Sequence, residues 1–500
     1  MAEVTAQQGA GTAVRVAAVD LGATSGRVMS GRISASGIEI NQMHRFPNGA
    51  VRVGSSYFWD VLGIHREVLT GIREVARSGP LHGIGIDSWA VDYGLLDRDG
   101  QLLGNPFSHR DPRTDGLAAK VAAEVGAAEL YACTGIQQLP FNTIYQLAAA
   151  RGTAALEAAE TLLLLPDLLG YWLTGSIGAE RTNASTTQLY DARSGEWATE
   201  IARRLGIPWG ILPPLRDPGS MVGPLLPHVA QELGLTADVP VVAVGSHDTA
   251  SAVVAVPAET GRFAYISSGT WSLVGLELDQ PVLTEAARLA DFTNELGVDG
   301  TTRFLKNVMG LWVLSESLRS WSDRRFRDVE LRSLITQAGE FDPQRTVIDI
   351  NDPRLLVPSS AADPMPERIA ALAAEAGEPV PHSPVAITRC IIDSLAVAYR
   401  RQVRTAAELA DVPVEVVHVV GGGSQNEILC QLTADACGLP VLAGPVEAAA
   451  LGNVLVQGRA LGADLPDLAA MRALVRRSYE VRRYEPRDSV DWAVVESRVF

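Results

Sequence analysis

The sequence predicts an α/β protein built as two related lobes, each a mixed sheet flanked by helices. Three observations carry that expectation. Short apolar runs alternate with amphipathic stretches; a glycine-containing hairpin pattern occurs twice, roughly half a chain apart; and 500 residues exceed what one ordinary domain needs. Hydrophobic residues make up 47% and charged residues 20%, which excludes disordered, collagen-like and coiled-coil classes.

The first apolar run, Val14 to Val19, ends in Asp20. Leu21-Gly22-Ala23-Thr24-Ser25-Gly26 then turns the chain into a second strand, Arg27 to Ile33, so this is a hairpin and not a strand-to-helix turn. Ile38 to His44 reads as a third strand, Tyr57 to Ala76 has helical spacing, and Leu81 to Ile86 returns to strand. Helices are expected over Leu117 to Val125, Thr143 to Ala150 and Leu168 to Leu173; Val239 to Val244 is a buried strand leading into Gly245-Ser246-His247-Asp248-Thr249. Past Pro257 the pattern restarts, with strand Arg262 to Ser267, turn Ser268-Gly269-Thr270 and strand Trp271 to Leu278. Lys306 to Trp312 should open a helix, Pro384 to Leu409 should form a long one, and Val414 to Val420 a strand ending in Gly421-Gly422-Gly423-Ser424. A helix from Gln425 to Cys437, a short strand Pro440 to Leu442 and a helix Glu447 to Gly458 follow. The expected organisation is a loose tail over residues 1–13, a first lobe over 14–256 and a second over 257–500.

A net charge of -16 gives no field suited to nucleic acid or an anionic membrane, so neither is expected as a partner. Neither of the most apolar stretches, Leu162 to Leu173 and Val239 to Val256, supplies the roughly 20 clean apolar residues of a span. Four dispersed cysteines suit a reducing cytoplasm, and the start of the chain lacks the basic and apolar regions of a signal peptide. The histidines show no zinc-binding spacing.

Glycine lets a turn's N–H groups approach a ligand closely, and Thr and Ser hydroxyls add donors, so the hairpins at Thr24 and Thr270 can each cradle phosphate oxygens or serve as plain β-turns. Neither fits the Walker or dinucleotide-binding pattern. Asp20 at the end of a buried strand needs a partner or a cation, Mg²⁺ through water among the options, or else caps the turn. Asp248 can accept a proton from a substrate hydroxyl or cap the following helix. Gly422 and its neighbours can lie flat against an adenosine or simply join strand to helix. Asp87-Ser88-Trp89-Ala90-Val91-Asp92 pairs an aromatic face with carboxylates, a mixture suited to sugars and equally to a core Trp with turn acids. Asn307 can bind a ligand hydroxyl or cap a helix. Arg110, Asp111 and Arg113 can form an ion-pair cluster or act near a substrate.

Taken together, V-D-L-G-A-T-S-G-R (Val19 to Arg27), G-I-D-S-W-A-V-D-Y (Gly85 to Tyr93), H-R-D-P-R-T (His109 to Thr114), G-S-H-D-T-A-S-A-V (Gly245 to Val253), Y-I-S-S-G-T-W-S-L (Tyr265 to Leu273), L-K-N-V-M-G-L-W (Leu305 to Trp312) and V-G-G-G-S-Q-N (Val420 to Asn426) resemble the FGGY carbohydrate kinases of the actin-like ATPase superfamily. The resemblance spans nearly the whole chain. It implies two ribonuclease-H-like lobes with an interlobe cleft, ATP and Mg²⁺ as cofactors, and a small-molecule ketose as substrate, in a monomer or small homo-oligomer. The H-D-T and L-K-N-x-M-G-L-W elements imply transfer of the ATP γ-phosphate to the C1 hydroxyl of L-rhamnulose. Position by position, it implies Asp248 as base; Ala23, Thr24, Ser25, Gly26, Arg27 and Thr270 at ATP phosphates; Gly422 and Ser315 near the nucleotide; Ala90, His247, Asp248, Thr249 and Asn307 on the sugar side; and Asp20 toward Mg²⁺. Ala90 stands where relatives often have Gly, and Ser315 where a Gln is expected. The alternatives are a kinase of L-fuculose, ribulose or xylulose, or a nucleotide-gated interaction protein on the same fold.

Overall fold

A computed structural model describes residues 13–34, 36–324, 331–341, 346–487 and 490–500, so the expected tail lies almost wholly outside the described residues. The chain forms two units. The first contains the described residues up to Thr134, then Gln138–Ala255 and Ala449–Ser478; the second contains Gly135–Gln137, Val256–Ala448 and Tyr479–Phe500.

In the first unit a six-stranded sheet runs in the order Met221–Pro224, Pro240–Val242, Gly83–Ser88, Val14–Leu21, Ser25–Ser34, Gly37–Pro47. The last three form an antiparallel meander, while Gly83–Ser88 lies parallel to both Val14–Leu21 and Pro240–Val242. Ile64, Val68, Ile72 and Val75 project from one stripe of helix Val61–Arg77 into a core shared with Val19, Val28 and Ile84. The helix starts later than its periodicity predicts, because Ser56–Trp59 pairs as a strand with Ala50–Val53 and Asp60 caps the helix through the Gly63 N–H. The apolar run at 162–173 divides into strand Thr161–Leu164 and helix Leu165–Thr174, with Pro166 in the helix's first turn, where its missing N–H costs nothing.

Residues 449–478, which the sequence reading assigns to the second lobe, pack in the first unit. Helix Ala448–Ala460 carries two fully buried amides whose partners lie on the first sheet: Gln457 Nε2 donates to the Ala17 carbonyl at 3.1 Å and Asn453 Nδ2 to Asp87 Oδ2 at 2.6 Å. Glycines make room for that helix. A Cβ on Gly31 would lie 2.3 Å from Val454, one on Gly85 2.6 Å from Asn453, and one on Gly452 1.7 Å from the Ser251 carbonyl oxygen.

Two more acids of this unit meet, Glu180 buried and Asp167 half-buried. Asp167, in helix Leu165–Thr174, accepts the Glu180 N–H at 3.2 and 3.3 Å through its two oxygens. Burial, and secondarily the neighbouring Glu180 charge, push the Asp167 carboxyl up to about 8, against the opposing pull of Arg216.

The second unit repeats the arrangement in a seven-stranded sheet of order Thr293–Leu296, Thr302–Met309, Trp271–Leu278, Phe263–Ser268, Val416–Val420, Val441–Ala443, Arg482–Tyr484. Again an antiparallel hairpin opens the unit and parallel strands extend it. Helix Pro384–Ala410, capped by Ser383, anchors to this sheet where Tyr399 Oη and Ser272 Oγ meet at 2.6 Å. The helix expected to open at Lys306 is instead the end of strand Thr302–Met309, with Asn307 opposite Leu273; the helix begins at Trp312. Gly310 separates the two, because a Cβ there would sit 2.6 Å from the Thr270 carbonyl oxygen.

Two stability predictions follow from this packing. Between about pH 4 and pH 8 the folded chain keeps a proton on Asp167 that the unfolded chain has lost, so stability falls with rising pH by up to about 1.4 kcal/mol per unit. Asp167→Asn, the neutral isostere of the protonated acid, should flatten that slope and stabilise most at pH 8 and little at pH 4, as measured by urea denaturation at each pH. Gly452→Ala should destabilise by about 1–3 kcal/mol, read as a lower midpoint in the same titration, because its methyl meets backbone that cannot move aside.

Candidate functional site

In the first unit the C-terminal ends of three neighbouring parallel segments lie level. Asp20 pairs in register with Asp87, Ser88 bridges to His247, and the Ser88 N–H donates to the Ser246 carbonyl at 2.9 Å. Such strand ends are where open α/β sheets bind ligands. The ladder brings Asp20, Asp87 and Asp248 into one electrostatic cluster. Asp20 is 4% exposed and takes both Nε and Nη2 of Arg27 on Oδ2, at 3.0 and 2.9 Å. Two residues that the sequence assigns to metal and to phosphate are thus each other's partners across the hairpin.

Asp87 is fully buried, with Oδ2 held by Asn453 and Oδ1 without a hydrogen-bond partner. Burial first, and then the charges of Asp20 and Asp248, drive its carboxyl well above the ordinary range, with Asn453 and Arg27 opposing. Asp248 is the first residue of helix Asp248–Val254, with His247 at the cap position, so the capping alternative does not hold. Its side chain is one-third exposed; Oδ1 accepts from Thr249 Oγ1 at 2.9 Å and lies 3.5 Å from His247 Nε2. A partly exposed carboxylate on a backbone held by neighbouring strands can take a proton from a hydroxyl. Among the described residues no three His, Cys, Asp or Glu side chains are grouped to hold a metal directly. The Asp20 and Asp87 pair, one oxygen of it buried and unpartnered, matches the one or two carboxylates with which magnesium binds while keeping its waters.

Immediately past strand Gly83–Ser88 lies a polar nest. Asp92 accepts from Trp59 Nε1 at 2.7 Å, Trp89 Nε1 at 2.8 Å, His109 Nδ1 at 2.8 Å and Gln146 Nε2 at 3.0 Å. Burial alone would raise this carboxyl, but the His109 charge and these donors hold it below its usual range. The two indoles pack at 4.3 Å between ring centroids, and Ala90 sits half-buried at the edge of the nest. The expected Arg110, Asp111 and Arg113 ion cluster resolves differently. Asp111 accepts the Tyr57 and Arg113 backbone N–H groups, while the Arg113 guanidinium stacks 3.8 Å over the Phe107 ring and donates to Gln146.

The first hairpin closes through Gly22 N–H to Ser25 O at 3.0 Å, and Asn48 braces it by donating to the Gly22 and Thr24 carbonyls. Thr24 is exposed at the tip, Ala23 and Ser25 are half-buried, and Gly26 is forced by the Phe46 ring, which a Cβ would approach to 2.3 Å. In the second unit, Gly269 and Thr270 are exposed, and their carbonyls accept from Leu311 and Trp312 N–H. The three glycines beside this turn divide their work. Gly421, at φ 83°, and Gly423 press against Ser268, where Cβ atoms would come within 2.9 Å of O and 2.0 Å of Oγ, whereas Gly422 faces open space. Gly422 therefore leaves a bare backbone surface next to the Thr270 hairpin. Asn307 is half-buried on its strand; Ser315 is exposed and its hydroxyl donates back to the Leu311 carbonyl at 3.0 Å.

Sequence reasoning names Asp87 and Asp92 only as acids in a mixed segment and misses Asn453 and Glu180. Their signal is a polar residue inside an apolar helix or strand, which has no meaning until the partner is known.

The family model of the FGGY family of carbohydrate kinases, N-terminal domain, matches residues 16–255, and that of its C-terminal domain matches 264–461. The chain is 45% identical over 483 residues to the rhamnulokinase of Pectobacterium carotovorum, covering 96% of this chain and 94% of that one. It is 41% identical over 478 residues to the rhamnulokinase of Bacteroides thetaiotaomicron, covering 95% and 96%. Its fold is similar to the crystal structures of gluconate kinase from Lactobacillus acidophilus (TM-score 0.78, 16% identity, 97% and 95% covered) and of Plasmodium falciparum glycerol kinase with ADP (TM-score 0.75, 15% identity, 95% and 94% covered). With both domains matched and these relatives aligned over 94–96% of their length, the chain belongs to the FGGY family of carbohydrate kinases and, within it, to the rhamnulokinases, and it is an enzyme, a sugar kinase.

Proposed function

We propose that this enzyme transfers the γ-phosphoryl group of ATP to the C1 hydroxyl of L-rhamnulose, giving L-rhamnulose 1-phosphate and ADP in L-rhamnose breakdown. The observation that carries the reading is the register of the strand ends in the first unit, which puts Asp248 in one cluster with Asp87 and with Asp20, on the strand that runs into the exposed Thr24 turn. The names of the aligned relatives support the choice of sugar.

In this reading Asp248 Oδ takes the proton of the C1 hydroxyl as its oxygen bonds to the γ-phosphorus. The bond from γ-phosphorus to the β,γ-bridging oxygen breaks, and ADP leaves. Ala23 to Arg27 and Thr270 serve the phosphate chain with backbone N–H groups, hydroxyls and the Arg27 guanidinium, donors whose orientation is already set by the braced turns. Gly422 lies against the nucleoside, and Ser315 is assigned to the nucleotide as well. Ala90, His247, Thr249 and Asn307 line the sugar. Asp20, with Asp87 beside it, would hold Mg²⁺ through water; that ion would offset charge on the transferring phosphoryl group. All four cysteines are free, among the described residues no helix is long and apolar enough to cross a membrane, and we assign the reaction to the reducing cytoplasm.

A coupled ADP-release assay over L-rhamnulose, L-fuculose, ribulose and xylulose tests the substrate, with the highest kcat/KM expected for L-rhamnulose. A higher value with another ketose would replace it. Asp248→Asn should lower turnover by about a hundred- to ten-thousand-fold in the same assay while nucleotide binding, followed by titration calorimetry, stays unchanged. Gly422→Ala should leave thermal stability unaltered, because no atom lies within 4 Å of the added methyl, yet raise the KM for ATP several-fold.

A further inference from the structure

Glu180 is buried to 1% exposure, and nothing in the chemistry above uses it. It ends the short strand Ala179–Glu180 and caps helix Arg181–Ala184 by accepting the Thr182 and Asn183 N–H groups. The same carboxylate also reaches the turn that leads to Asp248. Its Oε2 accepts the backbone N–H of Ser246 at 2.9 Å and the Ser246 hydroxyl at 2.8 Å. Thr182 extends the grip by one residue: its hydroxyl donates to Glu180 Oε2 at 2.5 Å and accepts the His247 N–H at 3.4 Å. The two peptide N–H groups immediately before Asp248 are therefore tied, directly and through one hydroxyl, to a single buried acceptor 66 residues earlier in the chain.

We propose that Glu180 is a positioning residue for the phosphoryl transfer, fixing the Ser246-His247 backbone from which Asp248 reaches the sugar hydroxyl; this rests on Asp248 being the base. Burial pushes the Glu180 carboxyl up from its ordinary value, and the hydrogen bonds it accepts oppose that rise. Five donors converge on it: the Thr182 N–H and hydroxyl, the Asn183 N–H, and the Ser246 N–H and hydroxyl. Glutamine offers one carbonyl oxygen in place of two acceptor atoms and turns an NH₂ group toward donors, so the turn must shift to relieve the conflict. A base moved by about 1 Å loses on the order of a hundredfold in rate, while sites that do not depend on the turn are unaffected.

The test is a double-mutant cycle on the full-length enzyme. Glu180→Gln should lower kcat by about ten- to a hundredfold and leave the KM for ATP within about twofold. Added to Asp248→Asn it should lower turnover no further, because residues that act as a unit are non-additive. A further loss of about tenfold in the double variant, or wild-type kcat in Glu180→Gln beside a crippled Asp248→Asn, would overturn the positioning role. Full turnover in Asp248→Asn would instead overturn the base assignment. If thermal melting shows Glu180→Gln to be unfolded, Ser246→Ala removes one of the two bonds to the turn. It should lower kcat several-fold with the same non-additivity, and an additive loss there would overturn the proposal.

Discussion

The first unit is organised by the cost of keeping carboxylates away from water at the ends of parallel strands. An ionised carboxylate loses its hydration on burial and persists only where donors or a cation replace it. Each buried acid near the strand ends is met in a different way. Asp20 takes the Arg27 guanidinium across the hairpin, Asp87 takes the Asn453 amide, and Glu180 takes five donors from its own helix and from the turn before Asp248. Much of the local architecture answers to these needs. Helix Ala448–Ala460 meets the first sheet with its two amides because Asp87 and the Ala17 carbonyl need donors, and Gly31, Gly83 and Gly85 are small so that it can come close enough to supply them.

The two sheets share an order but not a chemistry at their strand ends. Where Asp20 and Asp87 stand side by side in the first, Ser267 pairs with Val420 in the second, followed by Ser268 and the three glycines. In the proposed reading, a second pair of acids at that place would repel the phosphates assigned to the Thr270 turn. Small neutral residues instead leave bare backbone at Gly422, and Ser268 fills the space that Gly421 and Gly423 vacate. One unit thus sets charge at its strand ends and the other leaves room.

Much of the fold was legible because periodicity and glycine turns are local signals. Both hairpins, the meander, strand Trp271–Leu278 and helix Thr143–Ala150 follow from short windows of sequence. The misreadings fall where a neighbour decides. Lys306 to Met309 has no helix-breaking residue, yet it pairs as a strand because Trp271–Leu278 lies beside it. Tyr57 to Trp59 continues a helical pattern but is claimed by Ala50–Val53. Within the site, Asp20 and Asp248 were visible as acids closing apolar strands. Asn453 and Glu180 were not, since a buried amide or acid in an apolar stretch acquires a role only through a partner far away in the chain.

The segment after strand Gly83–Ser88 shows how rigidly such a site is built. Val91 has φ 70°, a left-handed conformation that a β-branched side chain resists. The surroundings impose it. Thr143 Oγ1 donates to the Val91 carbonyl at 2.8 Å, Gln146 Nε2 bonds Asp92, and two indoles and an imidazole converge on the same carboxylate. Strain of this kind persists only where the framework over-determines it, at a cost of about 1–3 kcal/mol. The indole faces and the backbone at Ala90 are consequently set before any ligand arrives. With Ala90 in its proposed sugar-lining role, a surface fixed in advance discriminates by shape and unpaired polar groups rather than by closing around whatever binds, and the Ala90 methyl is a fixed part of that shape.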